Sequence, residues 1–127
     1  MTHNEIAKII VGVALDVHRR LGPGLLESVY QEVLAYELKR KGLGIATQVP
    51  VPVEWNDVRL EVGFRADLVV EGKVMVELKS VEKVLPVFQK QLLTYLRLAD
   101  KRLGLLINFG EELLKNGIVR IANKLEE

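Results

Sequence analysis

Asp67, Glu77 and Lys79 interrupt one of the most apolar stretches of the chain, Phe64-Arg-Ala-Asp67-Leu-Val-Val-Glu71-Gly-Lys-Val-Met-Val-Glu77-Leu-Lys79. A carboxylate among β-branched residues is costly to bury unless it is paired or bound to a metal. An aspartate followed by Glu-x-Lys suits metal-assisted phosphodiester hydrolysis. Two hard oxygens can hold Mg²⁺ or Mn²⁺, and a nearby ammonium can steady the attacking hydroxide or the charge developing at phosphorus. The backbone carbonyl of Leu78, between Glu77 and Lys79, is a further candidate ligand. Glu-x-Lys alone recurs by chance, and Glu37-Leu38-Lys39 is a second copy. That copy falls on a helical stretch, where residues two apart point in different directions. The alternative for Asp67, Glu77 and Lys79 is a buried ion-pair cluster without metal, although buried ionic groups are seldom the stablest choice.

The register of a hairpin decides whether these groups meet. Leu68-Val69-Val70 and Val74-Met75-Val76 flank Glu71-Gly72-Lys73, which reads as a β-turn between two strands. A two-residue loop would put Asp67 opposite Val76, on the wrong face. A three-residue loop pairs Val70 with Val74 and sets Asp67 across from Glu77, with Gly72 or Lys73 supplying a left-handed residue. Strict alternation then puts Arg65, Asp67, Val69, Met75, Glu77 and Lys79 on one face. Phe64, Ala66, Leu68, Val70, Val74, Val76 and Leu78 form the other, which is wholly apolar. Arg65 thereby becomes a candidate phosphate contact, with a solvent-exposed strand-end arginine as the alternative.

The rest of the chain supplies elements to position this hairpin. Ile6, Ile9, Ile10, Val13, Ala14, Val17 and Leu21 recur at helical spacing over 4–20, with Asn4 as a candidate cap and Gly22-Pro23-Gly24 as a stop. His18, near that helix's C-terminus, reads as packed or dipole-interacting rather than catalytic. A second helix spans about 25–41, ended by Gly42, with Leu26, Val29, Tyr30, Val33, Leu34, Tyr36 in part and Leu38 on its buried side. Its first turn carries Glu27, where an acidic residue is stabilising in any case, and Tyr30 lies on the same side at i+3. Residues 45–55 contain Pro50 and Pro52, which are tolerated mainly on an edge strand. Asn56-Asp57 turns the chain into a strand from Val58, with a bend or bulge at Gly63. Pro86 opens a helix to about Asp100 with Leu85, Phe88, Leu92, Leu96 and Ala99 as its stripe. Gln91 and Tyr95, four apart, lie on a neighbouring stripe. Leu103 to Phe109 is a buried strand, parallel to a neighbour because a helix leads into it. A short helical turn at 111–115 and a strand at 117–122 complete the order α-α-β-β-β-α-β-(α)-β, an α/β mixed sheet flanked by helices.

Composition bounds the function. The chain has 127 residues, 49% hydrophobic and 28% charged, with formal net charge +1. That length predicts one domain over 1–127 that buries about two-thirds of its unfolded surface. The near-neutral charge announces no global basic field for nucleic acid, though a local patch is compatible with it. Cysteine is absent, which removes disulfides, thiolate metal sites and cysteine nucleophiles together. No apolar run approaches the roughly 20 residues that span a bilayer, and no signal-peptide pattern opens the chain. The expectation is a cytoplasmic protein with no membrane partner.

The motifs, taken together, resemble the PD-(D/E)XK nuclease superfamily, and within it the small proteins named for a GxxExxY motif. That motif stands here as Gly24-Leu-Leu-Glu27-Ser-Val-Tyr30. The resemblance runs from Ala14-Leu-Asp-Val-His18 to Ile107-Asn-Phe-Gly110. The superfamily's aspartate falls on Asp67 and its Glu-x-Lys on Glu77-Leu78-Lys79. The acidic helix residue of the RecB-like branch falls on Glu27, and its Gln-x-x-x-Tyr on Gln91-Leu-Leu-Thr-Tyr95. Ala66 replaces the proline that precedes the aspartate, and a proline contributes no ligand. The resemblance implies a restriction-endonuclease-like fold and a nuclease that uses Mg²⁺ or Mn²⁺ on DNA. Asp67, Glu77 and Lys79 would be catalytic. Glu27, Asp67, Glu77 and the Leu78 carbonyl would be metal ligands. Tyr30, Arg65, Gln91 and Tyr95 would bind substrate or orient the site. Two other classes stay open: a non-catalytic nucleic-acid- or partner-binding module on the same fold, and a homo-oligomeric interaction protein, such as a homodimer, whose apolar first helix covers a partner.

Overall fold

The computed structural model describes residues 1–127 apart from the side chain of Val62. Helix α1, His3–Leu21, starts one residue earlier than its apolar pattern suggests, because Thr2 rather than Asn4 is the cap. The Thr2 hydroxyl accepts from the Glu5 N–H at 3.1 Å, and the Glu5 carboxylate accepts from the Thr2 N–H at 3.3 Å. Such a reciprocal cap satisfies two orphan donors and contributes about 1 kcal/mol. The Asn4 side chain instead accepts from Arg120. His18 is buried, with Nε2 2.7 Å from the carbonyl of Glu111, so it is a packed residue that ties the helix to a loop.

Helix α2, Glu27–Arg40, buries Tyr30, Leu34, Ala35 and Leu38. Leu26 and Val29 are exposed, contrary to the stripe expected from spacing. The strands are β1 Ile45–Trp55, β2 Val58–Val70, β3 Val74–Lys79, β4 Leu103–Asn108 and β5 Ile118–Ala122. Helix α3, Pro86–Ala99, lies between β3 and β4, and a single 3₁₀ turn, Leu114–Gly117, precedes β5. The order in the sheet is β1-β2-β3-β4-β5, with β3 and β4 parallel and the other pairs antiparallel. This is the mixed sheet expected from the order of elements, with β1 on an edge as its prolines require. Leu85 caps α3 from outside and is exposed rather than part of its buried stripe. Among the described residues, no helix is long and apolar enough to cross a membrane.

The hairpin pairs Val70 with Val74, Val69 with Met75 and Leu68 with Val76, so the loop has three residues. Glu71 and Gly72 take positive φ, 54° and 65°; Lys73 does not. Glu71 tolerates this because it is anchored twice: its N–H donates to the Gly44 carbonyl at 2.7 Å and its carboxylate accepts from the Gly44 N–H at 2.8 Å.

Two apolar clusters fill the two faces of the sheet. Leu68, Val70, Val74, Val76 and Leu78 pack against α1 and α2, while Val69, Met75 and Leu106 pack against Leu92 and Leu96 of α3. Phe64 and Ala66 join the α3 cluster, so strict alternation breaks between Ala66 and Leu68. β1 breaks at the same level: Ile45 packs on the α1/α2 side and Val49 and Val51 on the α3 side. The face drawn from alternation is thus correct from Leu68 to Leu78 and wrong at Phe64 to Ala66. Arg65 is turned away from Val69 and Met75, not set beside them.

β2 also carries a bulge. Between the pairs Val51–Phe64 and Val53–Leu60, one residue of β1 faces three of β2. Gly63 is at this point, and a Cβ there would fall 1.8 Å from the Val51 carbonyl oxygen. Gly110 is under a similar constraint, since its Cβ would fall 2.1 Å from the Val81 carbonyl oxygen. Gly12, in the middle of α1, has open space where a Cβ would be. Urea unfolding should therefore show opposite effects for two glycine substitutions. Gly110→Ala forces backbone apart and should destabilise by about 2 kcal/mol or more, while Gly12→Ala should stabilise by roughly 0.5–1 kcal/mol.

Candidate metal and nuclease site

Asp67 and Glu77 meet where the β2–β3 ladder ends. The Asp67 N–H donates to Glu77 Oε1 at 3.2 Å, and the Leu78 N–H donates to Asp67 Oδ2 at 2.8 Å. Each carboxylate thus takes a main-chain donor from the opposite strand, continuing the ladder with side chains in place of carbonyls. This holds two carboxyl groups side by side at a half-buried position. Burial first, and the Asp67 charge second, push the Glu77 carboxyl up to about 8. The Asp67 N–H and the Lys79 charge act in the opposite sense but do not offset these effects.

Lys79, two residues along β3, is half-buried, and its Nζ lies 4.5 Å from the centre of the Phe88 ring of α3. A cation over an aromatic face is attracted by the ring quadrupole. Among the described residues neither carboxylate has an ion-pair partner within 4.0 Å, so the buried ion-pair cluster is not what this chain builds. The two carboxylates and the ammonium stay near one another without neutralising one another.

Glu27 approaches from the first turn of α2. Its Oε1 accepts from the Ser80 N–H at 3.3 Å, and the Ser80 hydroxyl donates to the Leu25 carbonyl at 2.6 Å. The Glu27 charge reaches Glu77 only as the smallest of the effects raising it. Among the described residues, no three His, Asp or Glu side chains are gathered closely enough to hold an ion. Glu27 anchors Ser80, and its charge is still felt at Glu77. A cleft of about 630 Å³ lies between the Pro23–Leu26 loop and Ser80–Glu82, with Glu27 on its wall. Asp67, Glu77 and Lys79 do not line it.

The remaining residues divide. Tyr95 is half-buried, stacks on Phe64, and has its hydroxyl raised by burial and then by the Glu77 charge, which places it near that carboxylate. Gln91 is exposed on the same helix, and Arg65 is exposed with no ion pair or hydrogen bond among the described residues. Tyr30 requires a correction. It is fully buried and stacked on Phe109 with ring centroids 4.3 Å apart. Its hydroxyl donates to the Gly22 carbonyl at 2.6 Å and accepts from the Leu25 N–H at 3.2 Å. Tyr30 shapes the loop that delivers Glu27 and is out of reach of a substrate.

Two groups were not anticipated. Asn108 is fully buried at the end of β4. It exchanges hydrogen bonds with both main-chain groups of Val81 at 3.0 and 2.9 Å and accepts from the Gly110 N–H at 3.0 Å, fixing the exit from β3. Gln48 of β1 donates from Nε2 to Gln31 Oε1 at 2.7 Å and toward Asp67 Oδ1 at 3.4 Å. Counting back from the Asn56-Asp57 turn would pair Gln48 with Arg65. The two extra residues of the β2 bulge move its partner to Asp67.

The donor set suits a divalent cation. Two hard carboxylate oxygens converge without a protein cation to neutralise them, and Mg²⁺ is commonly held by one or two carboxylates, completing its shell with water and substrate phosphates. A mixed sheet between helical layers, with Asp67, Glu77 and Lys79 at a rung where β2 and β3 part, is a nuclease-type α/β arrangement. A model of the PD-(D/E)XK nuclease superfamily matches residues 4–121, and the chain belongs to that superfamily. Neither the curated proteins nor the solved structures compared with it contain a match.

The raised Glu77 carboxyl has a measurable consequence for the metal-free protein. An unfolded glutamate ionises near its ordinary value, 4.5, and the folded one near 8. The folded state therefore binds the extra proton between these values, and stability falls as pH rises through the interval. Glu77→Gln removes the ionisation. In EDTA its melting temperature should exceed that of the native chain by a margin that grows from pH 5 to pH 8.5. The difference should approach on the order of 3 kcal/mol.

Proposed function

We propose that the chain is a divalent-metal-dependent nuclease that hydrolyses phosphodiester bonds in DNA. The observation that carries this reading is the pair Asp67 and Glu77, held together by reciprocal main-chain hydrogen bonds with Lys79 two residues further along the strand. In it, Asp67, Glu77 and the Leu78 carbonyl hold Mg²⁺ or Mn²⁺. When bound, the ion would polarise a phosphoryl oxygen and lower the pKa of a coordinated water. Lys79 presents its ammonium to the phosphate. The Phe88 ring supports this role by giving Nζ a place to rest away from Glu77.

Tyr95, whose hydroxyl feels the Glu77 charge, and Gln91 contact the substrate from α3. Glu27 acts through Ser80, setting where β3 leaves the sheet. The GxxExxY stretch then reads as a mechanical unit, with Gly24 shaping the loop, Tyr30 locking it and Glu27 pinning it to Ser80. Association through a second copy is compatible with this reading and forms no part of the site.

Cleavage of single- and double-stranded DNA with Mg²⁺ or Mn²⁺, and with EDTA in parallel, tests the proposal. Asp67→Asn and Glu77→Gln should each lower the metal-dependent rate by about 100-fold or more, and Lys79→Met by a comparable factor. Undiminished cleavage in EDTA, or by both carboxamide variants, would sink it. Salt-dependent DNA binding that ignores metal, without cleavage, would establish the non-catalytic binding module instead.

A further inference from the structure

Gln48 has a backbone conformation that its position does not explain. It lies inside β1, yet its φ is 49°, in the left-handed region that a β-strand residue with a long side chain rarely adopts. The register places it opposite Asp67: Thr47 pairs with Leu68 and Val49 with Ala66, and regular pairing lapses at the rung between them. Both strands also change faces at this rung. Ile45, Leu68 and Val70 pack toward α1 and α2, whereas Val49, Val51, Phe64 and Ala66 pack toward α3. A single strained residue thus coincides with the reversal that delivers Asp67.

The side chain points to what the strain achieves. Gln48 Nε2 lies between two acceptors, Gln31 Oε1 at 2.7 Å and Asp67 Oδ1 at 3.4 Å, so its NH₂ end is the one that faces them. Gln31 is one turn along α2 from Glu27 and supplies a fixed point on a separate element. Asp67 then has a donor on each oxygen, Leu78 N–H on Oδ2 and the Gln48 amide on Oδ1. Two donors from two neighbouring strands define the plane of the carboxylate. A strained backbone persists where its surroundings over-determine it, and such residues cluster at functional sites.

We propose that Gln48, held by Gln31 and by its left-handed backbone, is a positioning residue that fixes the orientation of the Asp67 carboxylate for cation binding. The inference rests on the metal-dependent reading of the site. Support for a ligand from a neighbouring group typically changes metal affinity or activity by about 10- to 100-fold. The strain predicts a second effect of opposite sense, because glycine adopts positive φ without the steric penalty.

The test uses Mn²⁺ alone as the probe, titrated calorimetrically into the native chain and into Gln48→Gly and Gln48→Asn, with melting temperatures measured in EDTA. Asparagine tolerates the left-handed region but is one methylene too short to bridge Gln31 and Asp67. Both variants should melt within about 2 °C of the native chain or above it, and both should bind Mn²⁺ about tenfold more weakly or worse. Native-like Mn²⁺ affinity in both would overturn the inference. So would affinity lost only in step with melting temperature, because that pattern marks a residue that merely supports the sheet. If the native chain itself takes up no Mn²⁺, the metal reading falls and this inference falls with it. That outcome is distinct from one in which the native chain and both variants bind alike.

Discussion

The structure depends on keeping two carboxylates together without a counter-charge. Coulomb repulsion and burial both oppose the arrangement, as the elevated Glu77 carboxyl records. It survives because each carboxylate accepts a main-chain N–H from the other strand, so separating the charges would also leave two backbone donors unsatisfied. Lys79 could relieve the repulsion by closing onto Glu77, but it rests against Phe88 instead. The protein thus keeps an unmatched acidic site where two interior strands of a packed sheet part, as cation binding requires and stability alone would remove.

The surrounding elements divide this task. The sheet carries the two carboxylates on a rung braced on both faces, by α1 and α2 on one side and α3 on the other. Beyond β3 the chain is tied down from two directions: Asn108 and Gly110 clamp Val81 from β4, and Glu27 takes the Ser80 N–H from α2. Lys79 is therefore the last residue of a strand whose exit is held on both sides. Tyr30 contributes indirectly by gripping the Gly22–Leu25 loop, so a motif that reads as chemical in sequence is in part a structural hinge pin.

Much of this was legible in the residues. Apolar periodicity located the helices and strands, and Pro50 and Pro52 marked the edge strand because proline cannot donate to a ladder. The three-residue hairpin loop followed from requiring Asp67 and Glu77 to meet. The errors share a physical cause. Leu26 and Val29 have buried-face spacing but are left exposed where α2 begins, and Arg65 was placed by an alternation that breaks between Ala66 and Leu68, across from the left-handed Gln48. Tyr30 falls on the same side of the helix as Glu27, yet packing against Phe109 turned it inward.

Sequence by itself determined which groups could do chemistry, the order of elements and the pairing that unites Asp67 with Glu77, because these follow from local periodicity and from turn length. Only the tertiary structure decided which face each strand presents beyond Ala66, that Glu27 accepts from the Ser80 N–H, and that Gln48 stands opposite Asp67. Those outcomes depend on a two-residue bulge and on helices packed from distant parts of the chain. A period-two pattern fixes a side only until one inserted residue or one left-handed φ reverses it.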